Sequence, residues 1–331
     1  MKVLITGGAG YIGSITARLF LQDGHKVTII DNFITGKKSF LPKKCQFFKS
    51  DISNKKKIKK ILRSGQFDVV LHFAALTSVL NSIKFPKKYY QNNFIKSKKF
   101  LDLCINEKIK LFVYSSTAGV YGNIKKKKIS ENDKTTPLNP YSKSKLYFEK
   151  YLINKCKKKK IKSLILRYFN VAGADAYLNS GMTQNNGNLI KNLCDSAINK
   201  KFFFYINGND YSTPDGTPIR DYIHVKDLSC MHLVSTKKSL KKKNFTFAIF
   251  NCGYGKGYSV LQIIKKMNEL TKNKIKFFFG PRREGDIEYS VANVSKFKQA
   301  FKWKPKFNNL NKILKSSLNW NNKFKKITYL N

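Results

Sequence analysis

Tyr141 and Lys145 stand four residues apart directly after Pro140, in the run Tyr141-Ser142-Lys143-Ser144-Lys145. Proline suits the first position of a helix, and residues at i and i+4 share one helical face. The Lys145 ammonium can therefore stand beside the Tyr141 hydroxyl. A free phenol titrates near ~10, and a nearby positive charge favours the phenolate, so Tyr141 is expected to accept a proton near neutral pH. In a chain this rich in lysine such a spacing recurs by chance. Ser115-Ser116-Thr117 singles it out: 24 residues upstream, at the end of an apolar run, a hydroxyl there can hydrogen-bond both the tyrosine and a substrate.

A second group has a different chemistry. Thr6-Gly7-Gly8-Ala9-Gly10-Tyr11-Ile12-Gly13 follows the short apolar run Val3-Leu4-Ile5 and precedes a helical stretch. Glycines there let the turn adopt positive φ, let backbone approach a pyrophosphate, and let the helix pack close to the strand. The helix amino end then offers N–H groups and positive potential to phosphates. Asp31 comes 18 residues after Gly13 at the end of the next β-branched run. A carboxylate in that place accepts from the adenosine ribose hydroxyls and repels a 2′-phosphate, which favours NAD over NADP. A plain glycine turn with a capping aspartate is the competing reading, and the strand–turn–helix–strand context favours the dinucleotide.

These groups need a scaffold, and the sequence supplies one. Strands are expected at Val3 to Ile5, Val27 to Ile30, Gln46 to Lys49, Asp68 to Phe73, Lys110 to Ser115 and Ser163 to Tyr168. Helices are expected at Tyr11 to Asp23, Lys55 to Arg63, Tyr89 to Glu107 and Pro140 to Cys156. Apolar strands alternating with crossover helices mean an α/β fold with a doubly wound parallel sheet covered on both faces. After about Asn170 the alternation stops and loops rich in glycine, asparagine and proline intervene, the kind of segment in which open α/β sheets bind ligands. We expect residues 1–170 to form the dinucleotide domain. The chain should return to it around 220–252, through a helix starting near Lys226 and the strand-like Ala248 to Asn251. Residues 171–331 should form mainly a smaller mixed α/β substrate lobe.

Composition excludes several classes. Hydrophobic residues make up 42% of 331 residues, enough for a core, and no apolar stretch approaches the ~20 residues that span a bilayer. The formal charge of +46 suggests a polyanion partner, yet only six of the 65 basic residues are arginine. Lysine, asparagine, isoleucine and phenylalanine, whose codons are A/T-rich, are inflated together. We therefore attribute the excess to base composition and expect no specific nucleic-acid partner. Six scattered cysteines show neither zinc-ligand nor disulfide spacing and suit a reducing cytosol. No signal peptide is evident, so a cytoplasmic chain without membrane attachment is expected, with no metal site.

Taken together, the glycine motif, Asp31, Ser115-Ser116-Thr117 and the Tyr141/Lys145 pair resemble the extended short-chain dehydrogenase/reductase superfamily with its Rossmann-type sheet. Further motifs resemble the UDP-glucose (UDP-galactose) 4-epimerase family. They are Arg167-Tyr168-Phe169-Asn170, Gly208-Asn209-Asp210-Tyr211 with Thr213 to Thr217, Arg220-Asp221-Tyr222-Ile223-His224-Val225 and Pro281-Arg282-Arg283-Glu284-Gly285-Asp286. The likeness runs from Lys2 to about Trp303.

This resemblance implies Tyr141 as catalytic base, Lys145 as its electrostatic partner and Thr117 as the orienting hydroxyl. It implies NAD held by Gly7, Gly10, Tyr11, Ile12, Gly13, Asp31, Asn32, Asp51, Ile52, Phe73, Ala74, Ala75, Asn93, Tyr141, Lys145 and Tyr168. A UDP-sugar would be gripped by Thr117, Tyr141, Asn170, Asn188, Leu189, Arg220, Arg283, Asp286 and Ser290, with the arginines clamping the diphosphate. It also implies a homodimer built on the Tyr89–Glu107 and Pro140–Cys156 helices. Ser290 takes a position held in the family by either a bulky aromatic or a small residue, and a small one leaves room for an N-acetyl group. Several positions depart from the family pattern: Val79-Leu80-Asn81-Ser82, Thr77, Asn207 in place of an aromatic, and Ala176 to Asn186. A sugar-nucleotide dehydratase would need an acidic pair after the hydroxyl residue, where Ala118-Gly119 stands. A UDP-glucuronate 4-epimerase stays open, as does a catalytically dead NAD-sensing or RNA-binding descendant.

Overall fold

The computed structural model describes residues 1–184, 187–199, 203–272, 275–283 and 285–329, with side chains through 325. Asn185, Asn186 and Glu284, which belong to segments noted above, lie outside the described residues. The first half alternates as its apolar periodicity requires: β1 (Lys2–Thr6), α1 (Tyr11–Gln22), β2 (Lys26–Asp31), β3 (Gln46–Lys49), α2 (Lys55–Gly65) and β4 (Val69–His72). Helices α3 (Val79–Lys84), α4 (Pro86–Tyr89) and α5 (Ser97–Asn106) lead to β5 (Leu111–Thr117), followed by α6 (Pro140–Lys157) and β6 (Lys162–Tyr168). Local chemistry sets these ends: the Asn54 side chain accepts from Lys57 N–H at the start of α2, and Asn139 accepts from Ser142 N–H at the start of α6, with Pro140 in the first turn.

One expectation is corrected here. The single helix from Tyr89 to Glu107 is instead α4, a π-helical turn over Tyr90–Lys96, and α5. Within the wider turn Asn93 is buried, and its amide accepts from Leu76 N–H at 2.9 Å and donates to Leu76 C=O at 2.9 Å. Apolar periodicity cannot register a widened turn whose residues stay on the same helical axis, and such turns recur beside functional sites.

The second half runs β7 (Asn170–Ala172), α7 (Leu189–Ile198), β8 (Phe204–Asn207), β9 (Ile219–His224), α8 (Val225–Lys241) and β10 (Phe247–Cys252). It ends with β11 (Gly257–Ser259), α9 (Val260–Thr271), β12 (Phe277–Gly280), β13 (Tyr289–Ser290), α10 (Ser295–Phe301) and α11 (Leu310–Tyr329). Seven strands form one parallel sheet in the order β10-β6-β5-β4-β1-β2-β3. Separate short sheets join β7, β9, β11 and β13, and β8 with β12. The Asp221 carboxylate on β9 ties three segments together by accepting from the backbone N–H groups of Tyr254, Gly255 and Ala292.

Strand alternation divides the core. On β1, Val3 and Ile5 join one buried cluster with Phe20 of α1 and Leu228 of α8, while Leu4 joins the other with Ile58, Phe100 and Phe148. All six cysteines are free, and Cys104, Cys156, Cys194 and Cys252 are buried as small apolar groups. Among the described residues no helix is long and apolar enough to cross a membrane.

Phe148 locks α6 to the sheet: it is fully buried and its ring lies 4.6 Å from that of Tyr114 and 6.0 Å from that of Phe112. Phe148→Ala should cost about 3–5 kcal/mol through the cavity left behind. The check is the denaturation midpoint in urea, which should fall with little change in slope.

Candidate active site

In the strand order above, the sequence of strands reverses between β1 and β4, and open α/β sheets place ligands at the carboxyl ends of strands beside that reversal. A cavity of about 550 Å³ opens there, between the sheet and the smaller lobe. Almost every expected site residue meets in it. Gly7, Gly10, Tyr11, Ile12, Gly13, Asp31, Asn32, Asp51, Ile52, Phe73, Ala74 and Ala75 line one part. Thr117, Tyr141, Lys145 and Tyr168 line the middle, and Asn170, Asn188, Leu189, Arg220, Arg283 and Asp286 the remainder.

The glycine cradle has the shape a dinucleotide requires. Gly7 has φ +72°, and a Cβ on it would stand 2.6 Å from the Ala74 nitrogen. Gly10, the N-cap of α1, supplies no side-chain cap, so the first N–H groups of the helix remain available to phosphate oxygens. Asp31 is buried and accepts from Ala9 N–H at 3.0 Å and Phe33 N–H at 2.8 Å. Burial raises its pKa against those bonds, and the carboxylate keeps lone pairs for ribose hydroxyls. Next to it Asp51 is held down to about 2: burial works upward, but hydrogen bonds from Lys96, Ser53 and Asn32 outweigh it. These residues fit NAD.

The middle of the cavity is built by β5 and α6. Lys145 is buried, donates to the Ser115 carbonyl at 2.8 Å, and lies 4.9 Å from the centre of the Tyr114 ring. Thr117 Oγ1 accepts from Gly119 N–H at 3.1 Å, and the Thr117 hydroxyl is hydrogen-bonded to Tyr141. The expected lowering of the Tyr141 pKa counts on the positive nicotinamide ring as well as on Lys145, and the protein alone moves it the other way. Burial pushes its hydroxyl up to about 12 against the Thr117 hydrogen bond. Burial likewise lowers Lys145 to about 7, with the Glu149 carboxylate opposing. The spacing of the two residues was legible in the sequence; the desolvation of both was not.

Tyr168 is fixed by a residue that sequence reasoning missed. Its hydroxyl lies 2.6 Å from His232 Nε2, and His232 Nδ1 lies 2.9 Å from the Leu228 carbonyl. A carbonyl only accepts, so Nδ1 carries the hydrogen and Nε2 accepts from Tyr168. Burial lowers His232 to about 4, keeping it neutral. His232 sits alone on α8 with no local motif to mark it. His72 is also removed from acid–base duty: burial, helped by Lys145, lowers it to about 3, and it bridges Thr6 Oγ1 and Ser97 Oγ.

In the lobe, Arg220 donates to the carbonyls of Ile219 at 3.0 Å and Glu288 at 3.2 Å and stands 3.6 Å from Asp286. Burial lowers its pKa and Asp286 opposes. The Asn188 side chain caps α7 by accepting from Lys191 N–H, leaving its amide N–H groups free of that role. Two expected residues do not line the cavity. Asn93 holds the Leu76 backbone from behind it, and Ser290 stands on β13 in register with Arg220. Phe204 and Tyr205 also line it without having drawn notice in the sequence, as do Asn207 and Tyr222, which had. Their strands carry no helix–strand rhythm that would place them.

The sequence matches the NAD dependent epimerase/dehydratase family over residues 3–253. A UDP-glucose 4-epimerase of Lactobacillus helveticus is 38% identical over 321 residues, 97% of either chain. A UDP-glucose-4-epimerase from Stenotrophomonas maltophila, solved with bound NAD and formylated UDP-arabinopyranose, has a TM-score of 0.94 at 32% identity, covering 99% of both chains. The UDP-Glc/GlcNAc 4-epimerase of Campylobacter jejuni has a TM-score of 0.85 at 36% identity, over 97% of this chain and 99% of its own. A glycine cradle at the switch point, a half-buried tyrosine and buried lysine beside a strand-end threonine, and likeness over almost the whole length make this chain a member of the NAD dependent epimerase/dehydratase family, among the UDP-glucose 4-epimerases.

Proposed function

We propose that this chain inverts C4 of a UDP-hexose, interconverting UDP-galactose and UDP-glucose with NAD as its cofactor. The observation that carries the reading is convergence: Thr117, Tyr141 and Lys145 meet in one cavity with the glycine cradle and with Arg220, Arg283 and Asp286. When bound, NAD supplies a hydride acceptor and donor for sugar C4 and a positive charge near Tyr141. Tyr141 takes the proton from the 4-hydroxyl and later returns it to the opposite face. Thr117 orients that hydroxyl, and Lys145 supplies the cation that favours the phenolate. Arg220 and Arg283 clamp the diphosphate, Asp286 accepts from ribose hydroxyls, and Asn170 donates to phosphate or sugar oxygens.

The chain is also proposed to work as a homodimer in the cytoplasm. Leu80, Ile83, Phe85, Tyr90 and Tyr147 are exposed on the helical layer formed by α3, α4, the π turn and α6. Tyr90, Phe94, Tyr147 and Tyr151 there form one aromatic cluster. Six free cysteines suit a reducing compartment. Tyr147→Glu should halve the mass measured by sedimentation equilibrium if this face is the dimer contact, and an unchanged mass would place the contact elsewhere.

Purified protein incubated with UDP-galactose and no added cofactor should yield UDP-glucose, read by chromatography; no conversion with or without added NAD refutes the activity. Tyr141→Phe should lower turnover roughly 10²–10⁴-fold with an unchanged circular dichroism spectrum. Ser290 pairs with Arg220 outside the cavity lining, and the proposal that its small side chain leaves room for an N-acetyl group rests on the family resemblance alone. UDP-N-acetylglucosamine should therefore turn over, and Ser290→Tyr should remove that activity while UDP-galactose turnover persists.

A further inference from the structure

Glu149 lies on α6, four residues after Lys145 and eight after Tyr141, on the same helical face. Its side chain is 1% exposed. The carboxylate accepts from Arg167 Nε at 3.1 Å, from Arg167 Nη2 at 2.6 Å, and from the Ser116 hydroxyl. Burial works against the Arg167 charge, but the hydrogen bonds it donates to Glu149 overcome this and hold the guanidinium above its usual pKa. That guanidinium lies 4.8 Å from the centre of the Tyr121 ring, and its buried Nη1 has no hydrogen-bond partner. A buried pair of this kind contributes little net stability against a hydrophobic replacement. Its position points to another role. Ser116 is the middle residue of a strand end whose two neighbours serve the reaction: the Ser115 carbonyl receives the Lys145 ammonium, and the Thr117 hydroxyl bonds Tyr141.

We propose that Glu149 is a positioning residue: clamped by Arg167 and Ser116, its carboxylate keeps the buried Lys145 protonated and holds the Ser115–Thr117 strand end at the height α6 requires. The proposal rests on the assignment of Tyr141 and Lys145 made above. Other groups facing Lys145 cannot replace this charge. On its own helix stands Tyr141, and on β5 Tyr114; burial raises both phenols, so they are neutral. On β4 stands His72, neutral at about 3. On β6 stand Arg167, already paired, and Tyr168, raised by burial. Tyr89 of α4, also raised by burial, faces Tyr141. Among these described groups Glu149 is the one anion. The sign follows: burial lowers Lys145 and Glu149 opposes it, so removing the anion lowers Lys145 further and its protonated form is lost at a lower pH.

The test uses full-length protein with ¹³C-labelled lysine. A lysine Cε signal is expected to titrate at about 7, and its loss in Lys145→Met assigns it. In Glu149→Gln that titration should fall by roughly one pH unit, and the alkaline limb of kcat should move down by the same interval. Ser116→Ala removes a hydrogen bond and no charge, so it should leave the titration in place. If Glu149→Gln fails to fold because the Arg167 charge is stranded, the double variant Glu149→Gln with Arg167→Met removes both ends of the pair, and the same fall is expected. A Lys145 signal titrating in the same place in the folded variant, or falling equally in Ser116→Ala, overturns the proposal. Near-normal turnover in Lys145→Met would instead refute the reading of the site, a result separable from the first.

Discussion

The hydrogen bond from the Lys145 ammonium to the Ser115 carbonyl is the constraint on which the site depends. An ammonium taken out of water must recover its solvation from acceptors inside the protein, and few are within reach of a helix that crosses a parallel sheet. One is the carbonyl at the end of β5, and the ring face of Tyr114 adds a second favourable contact. Satisfying the cation thereby sets the distance and rotation of α6 against β5. Tyr141, one turn earlier on the helix, comes to Thr117, two residues later on the strand. Phe148 and Leu152 hold the arrangement from the core side, where both are fully buried. The geometry of the reacting groups is thus a consequence of how one buried charge is accommodated.

The large positive charge of the chain has little part in this. Of six arginines, Arg167 is sealed in the core beside Glu149, and Arg220 and Arg283 line the cavity. A lysine offers a point charge on a flexible stem and could not serve both carboxylate oxygens as Arg167 does. The lysines mostly decorate the surface, singly paired where they are paired, as Lys110 with Asp68 and Lys237 with Asp23. Such exposed pairs contribute about 0–1 kcal/mol each. Their field can still speed the arrival of a diphosphate at low salt.

The dinucleotide half was legible in the sequence because its signals are local. Glycines, a β-branched run and a carboxylate 18 residues after Gly13 fall within a single βαβ unit. Tyr141 and Lys145 are legible for the same reason, as neighbours on one helix. The lobe was not, because β9 pairs with β7, β11 and β13, three segments scattered along the chain, and Asp221 joins them through backbone N–H groups that any residue could supply. His232 and Glu149 escaped notice because each is a lone polar residue on a helix whose meaning comes from the partner it meets across the fold. The rise of the Tyr141 pKa in the protein alone was not legible for a related reason. Charge neighbours can be read from spacing, but the desolvation that outweighs them depends on packing by residues remote in sequence.

Inversion at C4 places opposite demands on the two ends of the substrate, and the cavity answers them unequally. One base and one hydride source must meet both faces of the hexose, so the sugar must turn over while its nucleotide stays in place. The lobe end concentrates the strong, directional groups: Arg220, braced by the Ile219 and Glu288 carbonyls, then Asp286, Arg283 and the amide at the start of α7. The middle offers Thr117 and Tyr141, which on the proposed reading would bond one hydroxyl and leave the rest of the ring to weaker contacts. Binding energy spent on the nucleotide restrains the sugar without fixing its face, so neither ground-state orientation is held at the expense of the step that follows. Bracing Arg220 on backbone carbonyls also frees it from dependence on a single acidic partner, so a diphosphate can claim the guanidinium without unmaking the lobe.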